Sequence, residues 1–333
     1  MNYRIMIKYL LFTGCILLYN PSFSQKTDPK WDETKTEKWP EGFLEVEIKS
    51  SLDGKNQKAY FQKSQKAGKQ PLVVSLHTWS GDYTQKDTLA LVCRSKGYHY
   101  IHPNFRGPNT NFEACGSAAA IQDIDDAIDF AIREAKVDLN NIHVIGASGG
   151  GYATLLAYMN SKHQIKTFSS WVPISNLEEW YYQSKTRGNK YAFHIAKATH
   201  EQHNFTPDKF ELNKKEARKR SPFFMETPIK KRENSQLHIY AGVHDGYTGS
   251  VPITQSLQFY NKLVMDIAPA SQHELIPLED IIVLLANRSY PGGLKGKLGN
   301  RQIHYQKQLK DSVSITIFEG GHEMLPYIAL DHL

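Results

Sequence analysis

The run Gly-Ala-Ser-Gly-Gly at residues 146–150 points more directly to chemistry than any other part of the chain. It fits the pattern Gly-x-Ser-x-Gly, in which a serine lies on a sharp turn between a strand and a helix. An apolar run at 141–147 leads into Ser148, and a helical pattern at 150–160 follows it. Small residues on either side of the serine allow strand and helix to pack closely, so that the hydroxyl projects above the sheet. This context predicts Ser148 as a nucleophile for acyl transfer.

A serine hydroxyl needs a general base, and the base needs a carboxylate that orients it. On such a turn the three residues follow the chain order serine, acid, histidine. Asp245 comes just after the apolar run 237–242, and His322 just after the apolar run 312–318, both in loops that contain glycine. Loops that follow parallel strands meet at one edge of the sheet. We therefore predict a catalytic triad of Ser148, His322 and Asp245.

Backbone N–H groups that stabilise a negatively charged oxygen are expected beside the serine. The helix that starts after Ser148 offers the N–H of Gly149. The loop after the first parallel strand, residues 75–82, offers a second donor, for which we predict the N–H of Trp79. Packing of the Trp79 ring over the site is the alternative interpretation, and both can hold.

Aromatic residues near the end of the strand at 167–174 and just beyond it have two interpretations. They form either a substrate platform or the packed core of a lid. Of the aromatic residues near the serine, we predict Trp171 and Tyr152 as substrate contacts. The aromatic group comprises Trp171, Trp180, Tyr181, Tyr182 and Tyr191.

Strands and helices that would position these residues alternate from residue 71 onward. Apolar runs followed by helical patterns predict a parallel sheet with helices on both faces. Two earlier strand-like runs flank the turn signal Asp53-Gly54 and predict an antiparallel hairpin. We expect an α/β fold with a mostly parallel sheet of about eight strands. The strands are expected at 43–48, 58–63, 71–77, 98–103, 141–147, 167–174, 237–242 and 312–318.

Residues 25–333 are predicted to form a single domain with two insertions. Residues 176–234 are rich in aromatic and charged side chains without strand alternation, which predicts a helical lid. The second insertion, about 267–310, is expected to contain a helix near 279–286 and a loop at 291–300.

The first 24 residues have the pattern of a signal peptide. Arg4 and Lys8 precede an apolar run at 9–19, and Ser22 and Ser24 offer small residues before a cleavage point. The apolar run is too short for a membrane span of roughly 20 residues. We expect an exported protein, periplasmic or secreted, without a transmembrane segment. The alternative is a lipoprotein with its lipid on Cys15.

The amino-acid composition restricts which classes of binding partner are expected. The chain has 40 basic and 34 acidic residues, a mild excess that does not favour nucleic acid as a partner. No metal is predicted, because His200 and His203 lie three residues apart, one fewer than on a zinc-protease helix, and no third ligand is evident. Cys93 and Cys115 either pair in an oxidising compartment or are small core residues, and the sequence leaves both open.

Several runs resemble the catalytic domain of the prolyl oligopeptidase family, a group within the α/β-hydrolases. The similarity extends from about residue 70 to the end of the chain. It implies the α/β-hydrolase fold, with Ser148 as nucleophile, Asp245 as acid and His322 as base, and no cofactor. The runs are Asn104-Phe-Arg-Gly107, 123–128, 146–152, Arg220-Ser-Pro222, Gly242-Val-His-Asp245, Val251-Pro252 with Gln255, and Gly320-Gly-His322.

Three departures from the family pattern bear on the substrate. The family's peptidases carry a large amino-terminal propeller, whereas fewer than fifty residues separate the predicted leader from the hydrolase core. The interval from Asp245 to Val251 is wider than in the family, and residues 77–81 read His-Thr-Trp-Ser-Gly where a His-Gly pair is usual. No acidic pair that would hold a substrate amino terminus is visible.

These departures favour a carboxylic ester, such as a carbohydrate acyl ester, as the substrate of an exported serine hydrolase that works through an acyl-enzyme. The alternative is a serine exopeptidase or oligopeptidase. A less favoured alternative is a binding module that does not catalyse. The substrate is accordingly a small molecule, an oligosaccharide or a peptide, and the sequence does not indicate an oligomeric state.

Overall fold

A computed structural model describes residues 39–293 and 296–331. The predicted signal peptide and Cys15 lie outside the described residues. Within the described ranges, no helix combines the length and the apolar composition that a membrane span requires.

Ten strands of the described chain form one mixed sheet, in the order β1-β2-β4-β3-β5-β6-β7-β10-β9-β8. In this order, the six neighbouring strands that begin with β4 and end with β10 run parallel to one another. The strands at both edges of the sheet pair antiparallel. The predicted α/β fold with a mostly parallel sheet is confirmed. The strands are β1 (Leu44–Lys49), β2 (Asn56–Gln62), β3 (Gln70–Leu76), β4 (His99–Pro103), β5 (Val137–Ala147), β6 (Thr167–Trp171), β7 (Gln236–Gly242), β8 (Lys297–Leu298), β9 (Arg301–Leu309) and β10 (Val313–Phe318).

Helices connect the strands, and several begin at a polar residue whose side chain accepts a hydrogen bond from a backbone N–H of the first turn. Asp87 accepts from Leu89, and Ser117 accepts from Ala120. The helices are α1 (Thr88–Lys96), α2 (Ala118–Glu134), α3 (Gly149–Asn160), α4 (Leu177–Thr186), α5 (Tyr191–Ala198), α6 (Lys214–Lys219), α7 (Thr254–Ile267) and α8 (Leu278–Asn287).

The sheet has two strands more than we expected. The eight expected strands correspond to β1–β7 and β10. The other two, β8 and β9, lie in the second insertion, where we predicted only a helix and a loop. Polar residues interrupt the apolar alternation of β9, since Gln302, Gln306 and Lys307 fall within it. Its pairing with β10 therefore has little signal in the sequence.

Side chains on the two faces of the sheet pack into separate cores. Successive residues of a strand point to opposite faces. Accordingly, Leu72 and Val74 of β3 lie in a core with α2, α3 and α7, while Val73 lies in a core with α1. The central strands are thus covered on both faces, as a parallel sheet requires.

The segment 176–234, predicted as a lid, carries α4, α5 and α6 and adds no strand to the sheet. Its first residues are held by two side chains that are distant in the sequence, one near the far end of the segment and one beyond it. The Gln255 side chain accepts hydrogen bonds from the N–H groups of Ser175 and Asn176, and the Ser221 hydroxyl accepts one from Leu177 N. Gln255 and Ser221 belong to the runs that resemble the family, so part of that resemblance consists of anchors for this segment.

Arg106, in another of these runs, is buried between two carboxylates. Its side chain is 3% exposed, and its Nε donates to Asp123 Oδ2 at 2.6 Å. Its other nitrogens donate to Asp53 at 2.8 and 2.9 Å. Arg106 also lowers the pKa of Asp53 through these hydrogen bonds. The ion pairs join α2 to the turn between β1 and β2.

Candidate active site

Ser148 lies on the turn between β5 and α3 with a strained backbone. Its φ is 57° and its ψ is −118°, a combination that non-glycine residues rarely adopt. The turn is held by backbone hydrogen bonds from Ser148 N to Trp171 O and from Tyr152 N to Ser148 O, both 2.9 Å. Such strain persists only where the surroundings impose it, and on this turn it directs the hydroxyl away from the sheet.

Glycines impose this turn by allowing three backbone segments to approach it. A Cβ on Gly150 would be 2.1 Å from Leu76 O, and one on Gly151 would be 2.6 Å from Trp171 O. A Cβ on Gly146 would be 2.3 Å from Gly150 O. No real Cβ comes this close to a backbone oxygen, so β3, β6 and the start of α3 can converge only on glycines.

The structure brings the three predicted triad residues into direct contact. His322 Nδ1 lies 2.7 Å from Asp245 Oδ2, and His322 Nε2 lies 2.8 Å from Ser148 Oγ. Because a carboxylate only accepts hydrogen bonds, Nδ1 carries the proton and Nε2 accepts from the serine hydroxyl. The base is thus in the tautomer that can remove the serine proton.

Asp245 is 5% exposed and fully engaged by hydrogen bonds. Its Oδ1 accepts from Gly246 N at 2.8 Å and from Val251 N at 3.1 Å, which leaves Oδ2 for the histidine. Gly249 lies against the pair, since a Cβ there would be 2.3 Å from Asp245 Oδ1 and 2.6 Å from His322 Cβ. The five residues between Asp245 and Val251 therefore wrap around the carboxylate.

Glu319 links the loop of the acid to the loop of the base. Its two carboxylate oxygens lie 2.9 Å from His244 Nε2 and 2.7 Å from His304 Nε2. These hydrogen bonds, that of His304 first, lower the pKa of Glu319. Glu319 is absent from the residues predicted above, although its place three residues before His322 and the place of His244 beside Asp245 are the signals that could have identified it.

The two predicted oxyanion donors lie side by side. A Cβ on Gly149 would be 2.2 Å from Trp79 N, so the backbones of the two residues are in contact next to Ser148. Neither N–H donates to another backbone group of the described chain. The Trp79 ring is buried against Trp180 at 4.8 Å between ring centroids. The side chain thus packs under the lid segment while the N–H remains available.

Trp171 and Tyr152 do not fit the role of substrate contacts that we predicted for them. Both are fully buried. Trp171 stacks on Tyr240 at 4.1 Å, and its ring N–H donates to Ser169 Oγ. The Tyr152 hydroxyl donates to Arg220 O at 2.8 Å. Both side chains are therefore structural, because each is oriented by packing and by its own hydrogen bond.

Most of the other aromatic residues near the site also pack internally. Trp180 and Tyr181 are buried with Trp79 in a third core, beneath α4 and α5. Tyr182 is 43% exposed. Of our two interpretations, the structure therefore favours the core of a lid over a substrate platform.

The described residues contain no group of three or more histidine, cysteine or acidic side chains that could hold a metal ion. His200 Nδ1 contacts Ala196 O, and the His203 ring stacks on Phe205. Cys93 and Cys115 are both buried and free. Burial raises the pKa of the Cys115 thiol to about 12. Of the two possibilities for the cysteines, a disulfide or two small core residues, the structure shows the second.

The fold and the arrangement of these residues define an α/β-hydrolase with a serine, histidine and aspartate in contact. The prolyl oligopeptidase family (Peptidase_S9) matches residues 84–277, more than half of the chain. The chain therefore belongs to the prolyl oligopeptidase family, and the resemblance seen in its sequence is confirmed. None of the curated proteins matches it.

Solved structures of peptidases are similar in fold. An acylaminoacyl peptidase in complex with Z-Gly-Gly-Phe-chloromethyl ketone has a TM-score of 0.52 and 23% identity, over 66% of this chain and 34% of that one. The uncomplexed Pyrococcus horikoshii acylaminoacyl peptidase has a TM-score of 0.55 and 20% identity, over 87% and 39%. Prolyl oligopeptidase B from Galerina marginata has a TM-score of 0.51 and 13% identity, over 67% and 31%. The similarity thus spans about a third of the length of these chains.

Proposed function

We propose that this protein is a serine hydrolase that cleaves peptide bonds, of the oligopeptidase or exopeptidase type. The observation that carries the proposal is the chain of contacts from Ser148 Oγ through His322 to Asp245, at 2.8 and 2.7 Å, in a member of the prolyl oligopeptidase family. Preformed contacts of this kind are what an activated serine nucleophile requires.

In the proposed reaction, Ser148 Oγ attacks the carbonyl carbon of the substrate while His322 Nε2 takes the hydroxyl proton. The N–H groups of Gly149 and Trp79 stabilise the negative charge on the carbonyl oxygen. His322 then gives its proton to the departing amine, which leaves an acyl group on Ser148. Water, deprotonated by His322, then attacks this ester, and His322 returns the proton to Ser148 Oγ as the acid leaves. Asp245 keeps the imidazole oriented throughout.

The substrate class that we propose is not the one that the sequence alone favours. The departures from the family pattern favour an ester, with a peptide as the alternative. The family match and the peptidases among the structures of similar fold support the peptide alternative better. Peptides are therefore the substrates we propose, and ester hydrolysis becomes an outcome of the test.

The test combines active-site labelling with a substrate panel. A fluorophosphonate probe should label the wild type, and Ser148→Ala should abolish labelling. Ser289→Ala, which changes an exposed serine, is the control. The wild type should hydrolyse peptide p-nitroanilides, including proline-containing ones. Turnover of p-nitrophenyl acetate or acetylated oligosaccharides without peptide turnover would replace the proposal with the ester hypothesis. Neither labelling nor turnover would favour a binding module.

We further propose that the protein is exported, on the pattern of residues 1–24. Amino-terminal sequencing of the protein recovered from its native cells tests this proposal. A mature terminus at Gln25 supports cleavage of a signal peptide, whereas a lipid-modified terminus at Cys15 supports the lipoprotein alternative. An intact Met1 in the cytoplasm contradicts export.

A further inference from the structure

The loop between Asp245 and Val251 needs support from outside the sheet. It belongs to none of the ten strands. Its conformation nevertheless decides where the Asp245 carboxylate points, since Oδ1 accepts from the N–H groups at both ends of the loop. A shift of this loop would move the carboxylate relative to His322.

Support comes from the end of α4, in the lid segment. The Arg187 guanidinium donates to Gly246 O at 2.8 Å, to Ser250 O at 2.9 Å and to Gly249 O at 3.4 Å. One side chain thus binds three carbonyls of the loop, from 59 to 63 residues away in the sequence. The planar fork of an arginine can reach several acceptors at once, which the single ammonium of a lysine cannot do.

Two further residues of α4 contact the same part of the chain. The Trp180 ring N–H also donates to Ser250 O, at 2.9 Å. The Gln183 side chain contacts Thr254 and Gln255, just after the loop. Residues 180, 183 and 187 lie on one face of the helix, because they are three, four and seven positions apart. One face of α4 therefore holds the chain from residue 246 to residue 255 through hydrogen bonds.

Arg187 binds the backbone carbonyls of this loop and not the carboxylate of an ion pair. No salt bridge of the described residues includes it, and its Nε donates to Gln183 O at 2.9 Å, which fixes the guanidinium at the end of α4. Partial burial lowers the pKa of Arg187, and the charge of Asp245 acts in the opposite direction. The guanidinium is thus close enough to the acid to experience its charge.

We propose that Arg187 is a positioning residue: it holds the Asp245 loop so that the carboxylate faces His322, and it makes the triad depend on how the lid segment is seated. This inference rests on the proposed function, since it assigns Arg187 a role in the same hydrolysis.

The experiment compares Arg187→Ala and Arg187→Lys with Arg218→Ala in the full-length protein. Arg218 is the matched control, because it also binds α4, through Glu178, but contacts no residue of the loop. Steady-state kinetics on the best substrate give kcat and KM. The NMR signal of the imidazole proton shared between His322 and Asp245 reports the geometry of the pair directly, and thermal melting reports folding.

Arg187→Ala should lower kcat about 10- to 100-fold, the range for a small misplacement of a catalytic group, with KM unchanged. The imidazole signal should shift or broaden. Arg187→Lys should recover only part of kcat, since lysine restores the charge but not the fork. Arg218→Ala should match the wild type in both readouts. If Arg187→Ala does not fold, the lysine variant decides alone.

A wild-type kcat and an unshifted imidazole signal in the Arg187 variants would overturn the inference. So would a rise in KM at constant kcat, which would make Arg187 a substrate contact instead. The two proposals fail separately. A wild type that neither binds the fluorophosphonate nor hydrolyses peptides fails the proposed function, whereas the imidazole signal still tells whether Arg187 positions Asp245.

Discussion

Gly149 and Trp79 touch backbone to backbone: a Cβ on Gly149 would be 2.2 Å from Trp79 N and 2.4 Å from Trp79 Cα. The glycine is therefore required for the approach of the two predicted oxyanion donors. Any side chain at this position must push the loop after β3 away from Ser148.

Gly149→Ala should consequently reduce hydrolysis sharply. The displaced Trp79 N–H would no longer reach the carbonyl oxygen, and loss of one such donor costs roughly 100- to 1000-fold in kcat. Gly296→Ala is the control, because a Cβ there would meet only Ile303 Cδ1, at 3.5 Å. Rates are measured on the peptide panel and folding by circular dichroism. A folded Gly149→Ala variant with a wild-type kcat would show that Trp79 N–H is not a donor in the reaction.

Asp245→Asn should lower kcat by about 10⁴-fold, as a wrong histidine tautomer does in other serine hydrolases. The asparagine carbonyl must stay at the Oδ1 position to accept from the N–H groups of Gly246 and Val251. Its NH₂ group then faces His322 Nδ1, so the imidazole proton moves to Nε2 and the base can no longer accept from Ser148. Asp311→Asn, which changes an exposed carboxylate, should leave kcat unchanged. An Asp245→Asn variant within tenfold of the wild type would assign the acid elsewhere.

Arg106→Met should destabilise the fold, although Arg106 does not contact the triad. The substitution leaves the Asp123 side chain, 1% exposed, without its cationic partner, and an uncompensated buried charge costs about 3–5 kcal/mol in the free energy of unfolding. Urea denaturation measures the difference. Arg133→Met removes an arginine whose side chain is 65% exposed and should change the free energy by less than about 0.5 kcal/mol. Equal effects of the two substitutions would contradict a special role for the buried pair.

His143 should make the protein less stable in acid. Its ring is fully buried on β5, and neither ring nitrogen has a hydrogen-bond partner among the described residues. Burial lowers its pKa to about 3. The unfolded chain therefore takes up a proton between about pH 6.5 and pH 3 that the folded chain does not, and stability falls as pH falls through this window.

The His143→Leu variant isolates this contribution. Between pH 7 and pH 5 the wild type should lose about 2 kcal/mol more than the variant in the free energy of unfolding. At pH 7 the leucine should be neutral or stabilising, because it removes two unpaired buried polar atoms. Urea denaturation at the two pH values gives both numbers. Parallel losses in the two proteins would show that His143 is protonated in the folded state.

The contacts among Ser148, His322 and Asp245 were predictable because each residue follows a buried strand. The sequence pattern locates the ends of such strands, and the rules for parallel sheets bring those ends to one edge. Gly149 and Trp79 follow from the same reasoning, since one begins the helix after Ser148 and the other lies in the loop after the first parallel strand. A local pattern combined with a general rule of topology was thus enough to place these five residues together.

Other features depend on what covers a residue, which no local pattern shows. Trp171 and Tyr152 lie close to Ser148 in the sequence, but their rings are enclosed by Tyr240 and by the lid segment. No pattern in the sequence identified Arg187 as a residue of the site. Its partners are backbone carbonyls, which any residue type supplies, so the sequence of the loop does not indicate that an arginine binds there.

The hairpin of β8 and β9 has a consequence for association between molecules. Without it, β10 would be the margin of the sheet, with a row of unpaired backbone groups open to another chain. Instead, β9 pairs with β10 along six residues, so the margin moves outward to β9 and to β8, a strand of two residues that pairs only with Arg301 and Gln302 of β9. β10, which leads into the loop of His322, is thereby kept in the interior of the sheet, and a foreign strand could pair only with the outer strands.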